Sequence, residues 1–173
     1  MFHRTRLGLA VAAISLGLVA GSTPAATALP DWRTDRVVRA AADGVRMPKV
    51  VDLRYATHAR FDRVVVDLRG LRPGFTVDYT RRLHREGSGH LVRLPGKQKM
   101  FLSLTSAYAH NRRGNPVYDG PRRQVLDFPT LRGVAFTGDF EGSVTFGFGL
   151  DRRAPFRIFA LRHPTRIVLD FKH

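Results

Sequence analysis

Asp139 and Glu141 are the nearest thing in this sequence to a pair of catalytic carboxylates. A glycosidase needs two such groups, one to protonate the leaving oxygen and one to attack or to activate water. The two stand in Gly138-Asp139-Phe140-Glu141-Gly142. On a strand they would share a face, whereas in a glycine-flanked turn such carboxylates cap backbone amides or pair with arginine, and the glycines favour the turn. Other constellations are missing. The histidines are scattered (His58, His84, His90, His110, His163, His173), no HExxH occurs, and Glu86 and Glu141 are the only glutamates, so no zinc ligand set with a carboxylate base emerges. There is no GxSxG and, with no cysteine, no thiol nucleophile. Gly147-Phe148-Gly149 precedes neither a helix nor a P-loop lysine and signals a bend or close packing instead. The expectation is a protein without catalytic residues, metal or cofactor, with an envelope hydrolase as the least favoured alternative.

Side chains suited to holding a ligand are better represented. Tyrosine faces stack on sugars, and guanidinium forks grip carboxylate or phosphate. Tyr55, Tyr79, Tyr108, Tyr118, Arg112 and Arg113 are the candidate contacts, although the same residues would serve as core tyrosines and solvated arginines. Four of the six lie in 107–121, which Gly114, Asn115, Pro116, Gly120 and Pro121 keep irregular, and function concentrates in such loops.

The elements that must position these residues read as short strands. Phe61-Asp62-Arg63-Val64-Val65-Val66-Asp67-Leu68-Arg69-Gly70 alternates, with Val64, Val66 and Leu68 on one side and Arg63, Asp67 and Arg69 on the other. Its β-branched run disfavours a helix. A similar string, Pro164-Thr165-Arg166-Ile167-Val168-Leu169-Asp170-Phe171, closes the chain, with Arg63 matching Arg166 and Asp67 matching Asp170. This is either an internal strand–turn–strand repeat or two strands of like composition. Each Arg–Asp pair is too far apart along its strand to touch, so cross-strand partners are expected. Further strands are predicted over 50–55, 75–79, 90–94, 100–105, 124–128, 131–137, 144–150 and 156–161. Residues 29–48 read as a connector, with a short helix over 31–42 suggested by Asp31 as N-cap and Gly44 as a stop. Trp32, the only tryptophan, is expected to pack as a lid on the domain. The pattern argues an all-β sandwich; the alternative is a closed β-barrel carrying a small ligand in a pocket lined by Phe75, Phe101, Phe136, Phe146, Phe148, Phe156 and Phe159.

Residues 1–28 resemble a secretory signal: a basic start at His3, Arg4 and Arg6, an apolar stretch over 7–20, and Ala26-Thr27-Ala28 as a cleavage site, with an uncleaved anchor as the alternative. The apolar stretch is short for a bilayer span, so no membrane span is expected after processing. The 173 residues carry 29 Lys+Arg against 14 Asp+Glu, a formal +15, and removing Arg4 and Arg6 would leave +13. Such a charge favours anionic partners, although a bias of arginine over lysine also fits a GC-rich genome. No run of like charges is long enough for a basic tail.

Phe61 to Asp67, Pro73-Gly74-Phe75, Gly138 to Gly142 and Pro164 to Asp170, in this order and spacing, resemble the AMIN-like domain of secreted actinobacterial proteins, over 49–173. The motif positions are Phe61, Asp62, Arg63, Asp67, Gly74, Gly138, Asp139, Phe140, Glu141, Gly142, Pro164, Arg166 and Asp170. The resemblance implies a β-sandwich of two small pseudo-symmetric sheets. It also implies a non-catalytic targeting module like the AMIN domains of cell-wall amidases and pilus secretins, which are associated with peptidoglycan. It supplies no ligand residues to carry across. Many AMIN-like proteins are lipoproteins, whereas this sequence has no cysteine, and no amidase domain accompanies it. The expected partner is therefore a wall glycan or anionic wall polymer at the cell envelope, not nucleic acid, with no protein partner named.

Overall fold

The computed structural model describes residues 28–44 and 46–173; the secretory signal expected over 1–28 lies, Ala28 apart, outside the described residues. A six-stranded antiparallel sheet has the order β1 (Val37–Arg39), β4 (Gly74–Thr80), β7 (Gln98–Thr105), β10 (Ser143–Leu150), β9 (Leu131–Phe140), β8 (Arg123–Val125). A four-stranded antiparallel sheet has the order β11 (Phe156–Leu161), β12 (Arg166–Lys172), β3 (Phe61–Arg69), β2 (Lys49–Thr57). A small hairpin, β5 (Leu83–His84) with β6 (Leu91–Val92), completes the set. No helix forms among the described residues, and none is therefore long and apolar enough to cross a membrane.

One core lies between the two sheets. Val50, Leu53, Val64, Val66, Leu68, Ile167, Leu169 and Phe171 enter it from the four-stranded sheet, and Val77, Met100, Leu102, Leu104, Phe146 and Phe148 from the other. The alternation read in the sequence produces this: in β3, Val64, Val66 and Leu68 are buried while Arg63, Val65 and Asp67 lie on the outer face. Each large apolar side chain so buried contributes about 1.5–3 kcal/mol. Both sheets keep free ends to their strand order, so the closed barrel considered above does not form. Phe75, Phe136, Phe146, Phe148 and Phe156 fill the sandwich interior instead of lining a ligand cavity. Phe101 packs beneath the small hairpin, and Phe159 lies on the outer face of the four-stranded sheet. Gly147 lets that hairpin lie flat on the six-stranded sheet, since a Cβ there would stand 2.7 Å from Leu83.

The helix expected over 31–42 is replaced by an isolated bridge from Arg33 to Phe156 and by β1 on the edge of β4. The segment has no apolar stripe to hold a short helix, while the β4 edge supplies hydrogen-bond partners and suits Val37 and Val38. Trp32 does pack on the domain, tilted against Phe61 at 6.4 Å with the Arg157 guanidinium 4.4 Å from its ring centroid.

The two similar strands, β3 and β12, lie side by side and antiparallel, with Val65 opposite Val168. That register sets Arg63 opposite Asp170 and Asp67 opposite Arg166, so a local two-fold through the central valines exchanges the two copies. The cross-strand ion pair forms at one end: Arg63 donates to both oxygens of Asp170 at 2.6 and 2.9 Å, and Arg157 adds a third bond at 2.8 Å. At the other end Asp67 takes its bidentate partner from β2, Arg54, at 2.6 and 2.9 Å, rather than from Arg166. Asp170 is fully buried although it faces outward, roofed by its two arginines, which in turn lie over Phe61, Phe159 and Trp32.

Asp62, on the inner face of β3, is also fully buried. Oδ2 accepts the backbone N–H groups of Thr130 and Leu131, each at 2.8 Å; Oδ1 accepts the Thr57 hydroxyl at 2.7 Å and lies 3.0 Å from Nε2 of His173. One carboxylate thereby joins the four-stranded sheet to the start of β9 in the other. Burial opposes its ionisation, but the bonds from Leu131, Thr57, His173 and Thr130 together outweigh that and hold its pKa below the ordinary 3.8. A depressed folded-state pKa gives stability that is present above the unfolded value and lost as pH falls through the folded one. Asp62→Asn, which must turn an N–H₂ group towards a donor, is expected to lose about 2–4 kcal/mol in urea unfolding at neutral pH. The gap to the parent should narrow as the pH is taken below 3.8. A gap that is absent at neutral pH, or that ignores pH, would remove Asp62 from this role.

Candidate functional site

Residues 107–119 run along the free edge of β2. Ala107 N–H donates to the Gly142 carbonyl at 3.0 Å. Tyr108 N–H donates to Pro48 O at 3.1 Å and Val50 N–H to Tyr108 O at 2.8 Å, a parallel bridge that carries the sheet one residue further. Asp119 N–H reaches Val51 O at 2.9 Å. Gly120 is required by the closeness of this approach, since a Cβ there would come within 2.6 Å of Asp52 Oδ1. The loop's tip is folded by Asn111, whose Oδ1 accepts the N–H groups of Arg113 and Asn115 at 2.8 and 3.1 Å.

The turn motif fixes the start of this loop. Glu141 and Gly142 form the two-residue turn between β9 and β10, both with positive φ, 47° and 75°. Asp139, just before it, accepts the Ala109 N–H on Oδ2 at 3.0 Å, and the same oxygen lies 2.6 Å from His110 Nδ1. Asp139 lies in β9 and not in the turn expected over 138–142, which shrinks to Glu141 and Gly142, yet it still caps a backbone amide, while Glu141 is exposed at the apex. The other oxygen of Asp139 is buried without a partner among the described residues.

Between the loop and the residues entering β2 lies an open cavity of about 760 Å³. Arg46, Lys49 and Arg112 supply three cations to its lining, and Tyr108, His110 and Asn111 supply aromatic and polar surface. Among the described residues no carboxylate lines it. The Tyr108 and His110 rings stand 4.8 Å apart at 55°, so Asp139, by fixing His110, also sets the angle of this wall. The arrangement offers a π face beside converging positive charge. Among the described residues it holds no nucleophile with an adjacent base, and no group of three or more His, Asp or Glu is placed to hold a metal ion.

Of the six expected contacts, the structure brings only Tyr108 and Arg112 together here. Arg113 is exposed on the same loop but outside the cavity lining. Tyr118 is instead a core residue, 5% exposed, stacked on Phe136 at 4.7 Å with its hydroxyl donating to Pro121 O at 3.0 Å; burial raises its pKa well above the ordinary tyrosine value. Tyr55 packs edge-on against Phe128. Tyr79 donates to Ala154 O at 2.5 Å and lies under Arg153, in a smaller groove with Lys97 and Lys99. A tyrosine in an irregular loop looks the same in sequence whether it anchors the loop inward or faces water. Arg46, Lys49 and Asn111 were not foreseen as contacts, because the parallel bridge that brings 46–49 to 108 joins segments far apart in the chain and leaves no local signal.

Fold and cavity together define an all-β domain of two antiparallel sheets bearing a basic, aromatic recess at one sheet edge. The family model described as the AMIN-like domain matches residues 48–173, and the chain belongs to that family. No curated protein and no solved structure matches it.

Asp139→Ala should free the loop without unfolding the domain. Losing the acceptor of one amide costs about 1–3 kcal/mol locally, so hydrogen exchange at Ala109 should quicken by about tenfold or more while β7 and β10 keep their protection. Unchanged exchange at Ala109 would show that the carboxylate does not hold the loop.

Proposed function

We propose that this protein is a non-catalytic module of the cell envelope that binds peptidoglycan glycan or an anionic wall polymer, with the cavity between 46–49 and 108–114 as its contact. The observation carrying this reading is the cavity's composition: Arg46, Lys49 and Arg112 line it beside Tyr108, and among the described residues no carboxylate lines the space. A sugar ring stacks on the exposed face of Tyr108, and a carboxylate or phosphate on the same polymer takes the guanidinium and ammonium donors. Family membership supports the reading, since the AMIN-like domain suggests a cell-wall-associated module. Export by the N-terminal signal belongs to the same proposal. Asp139 and Glu141 then act as structural residues of the turn, positioning the loop and not a substrate.

Without Arg4 and Arg6 the formal +15 falls to +13, which would still bind any anionic wall weakly, so salt must separate field from site. Contacts exposed to solvent are screened within about 4–5 Å at roughly 0.5 M salt, whereas a stacked, partly desolvated contact is screened less. Sedimentation with purified cell wall should leave a bound fraction at about 0.5 M salt. Tyr108→Ala together with Arg112→Ala should abolish that fraction while preserving the low-salt binding and the fold. Tyr118→Ala is the wrong probe, because it cuts a cavity in the core and is expected to cost about 3–5 kcal/mol of stability. If all binding disappears by about 0.5 M salt, or the double variant binds there like the parent, the cavity is not the contact and the charge alone attaches the protein.

A further inference from the structure

A second cavity, of about 480 Å³, lies at a separate place in the fold, where the β3–β4 connection, the β11–β12 turn and the segment 40–44 meet. Three contacts assemble it. Arg72 donates through Nη1 to Ala40 O at 2.7 Å, Ala42 N–H donates to Arg72 O at 2.9 Å, and the Thr165 hydroxyl donates to Gly70 O at 2.6 Å. Its lining has two halves. Arg72, Arg162 and His163 supply donors, and Leu71 and Leu161 supply an apolar wall that is left in water, 47% and 37% exposed. Among the described residues no carboxylate lines the cavity, and neither Arg72 nor Arg162 has an ion-pair partner. Three arginines of the four-stranded sheet, Arg54, Arg63 and Arg157, are paired with aspartate, whereas Arg69 and Arg166 on the same sheet have no ion-pair partner among the described residues.

Burial first, then the charges of Arg39 and Arg162, lower the pKa of Arg72 from its ordinary value. Like charges held together without an acid are relieved by an incoming anion. Planar guanidinium groups suit tetrahedral phosphate oxygens, and the two leucines beside them suit hydrocarbon. A bare anion would leave Leu71 and Leu161 in water; a neutral amphiphile would leave the arginines unpaired.

From this juxtaposition we propose that the Arg72–Arg162–His163 cavity binds the head of an anionic amphiphile, a phosphate ester whose attached chain lies on Leu71 and Leu161. The site is independent of the wall-binding cavity and of the function proposed for it. The phosphate sits between the two guanidinium groups, and the first methylenes of the chain cover the leucines.

The test is a titration of the intact protein followed in its amide spectrum, with Leu71, Arg72, Arg162 and Thr165 as reporters here and Tyr108 and Asn111 as reporters of the other cavity. The probes are inorganic phosphate, decyl phosphate below its micelle concentration, decyl maltoside, and phosphatidylglycerol vesicles against phosphatidylcholine vesicles. Burial of two methylenes is sufficient for decyl phosphate to bind about tenfold more tightly than inorganic phosphate, with shifts at the four local reporters and not at Tyr108 and Asn111. Decyl maltoside should move none of them. Arg162→Gln, at an exposed position whose side chain makes no hydrogen bond among the described residues, should weaken decyl phosphate by about tenfold with the fold unchanged. Leu161→Ser should erase the advantage of decyl phosphate over inorganic phosphate. Retention on phosphatidylglycerol vesicles but not phosphatidylcholine, lost in Arg162→Gln, would identify a membrane lipid as the source; binding of the monomer without vesicle retention would identify a free amphiphile. Equal affinity for decyl phosphate and inorganic phosphate, shifts confined to the other cavity, or an Arg162→Gln variant that binds like the parent would each overturn the proposal.

Discussion

The carboxylate of Asp62 is the constraint from which much of this architecture follows. It stands on the inner face of β3, where its neighbours in the alternation are valine and leucine, and it is as buried as they are. An ionised group in that position is tolerable only if its lone pairs are filled, because an unpaired buried charge costs several kcal/mol. Four donors fill them, and they come from three places: the β2–β3 hairpin, the start of β9 and the last residue of the chain. The two backbone amides matter most for topology. Thr130 and Leu131 enter the six-stranded sheet there, so the bond to Asp62 fixes where one sheet begins relative to the other. Hydrophobic burial holds the sheets together but is non-directional; the carboxylate adds a point of register.

Asp170 does the corresponding work on the outer face. Three charge-assisted bonds from Arg63 and Arg157 tie β12 to both its neighbours, and the aromatic rings of Phe61, Phe159 and Trp32 cover the guanidinium planes. The layer holds the chain N-terminal to β1 against the sheet, because Trp32 is one of its rings and Arg33 bridges to Phe156. A sequence position that reads as a polar outer face is thus sealed, which is why Asp170 is fully buried without entering the core.

Most of the strands were legible in the sequence, because a strand that is buried on one face must alternate and turns must carry glycine or proline. β3, β11, β12 and the central strands of the larger sheet are such cases. Cross-strand pairing of Arg63 was also legible, since the spacing of Arg63 and Asp67 forbids contact within one strand. Which aspartate it would meet was not, because register depends on the partner strand; the local two-fold predicts equivalent pairs at both ends, yet Arg54 displaces Arg166 from Asp67. β1 was misread as a helix because its three residues are set by the neighbouring edge and not by their own pattern.

The candidate site was half legible for a related reason. Irregular composition marked residues 107–121, and Tyr108 and Arg112 do face a cavity. The opposite wall comes from Arg46 and Met47, just before β2, and from Lys49, which opens it, and the free hydrogen-bonding edge of that strand brings the two walls together. An unpaired edge invites pairing from other chains unless it is covered. Here the loop covers it, so the segment carrying the proposed contacts is held in place by the need to protect a sheet. This coupling explains how a loop dense in glycine, proline and asparagine can keep a defined wall. Its start is pinned by Asp139 and Gly142, its middle by the bridge to Pro48 and Val50, and its end by Tyr118 in the core. What remains free to meet a ligand is the span between those anchors, where Arg112 reaches out beside Tyr108.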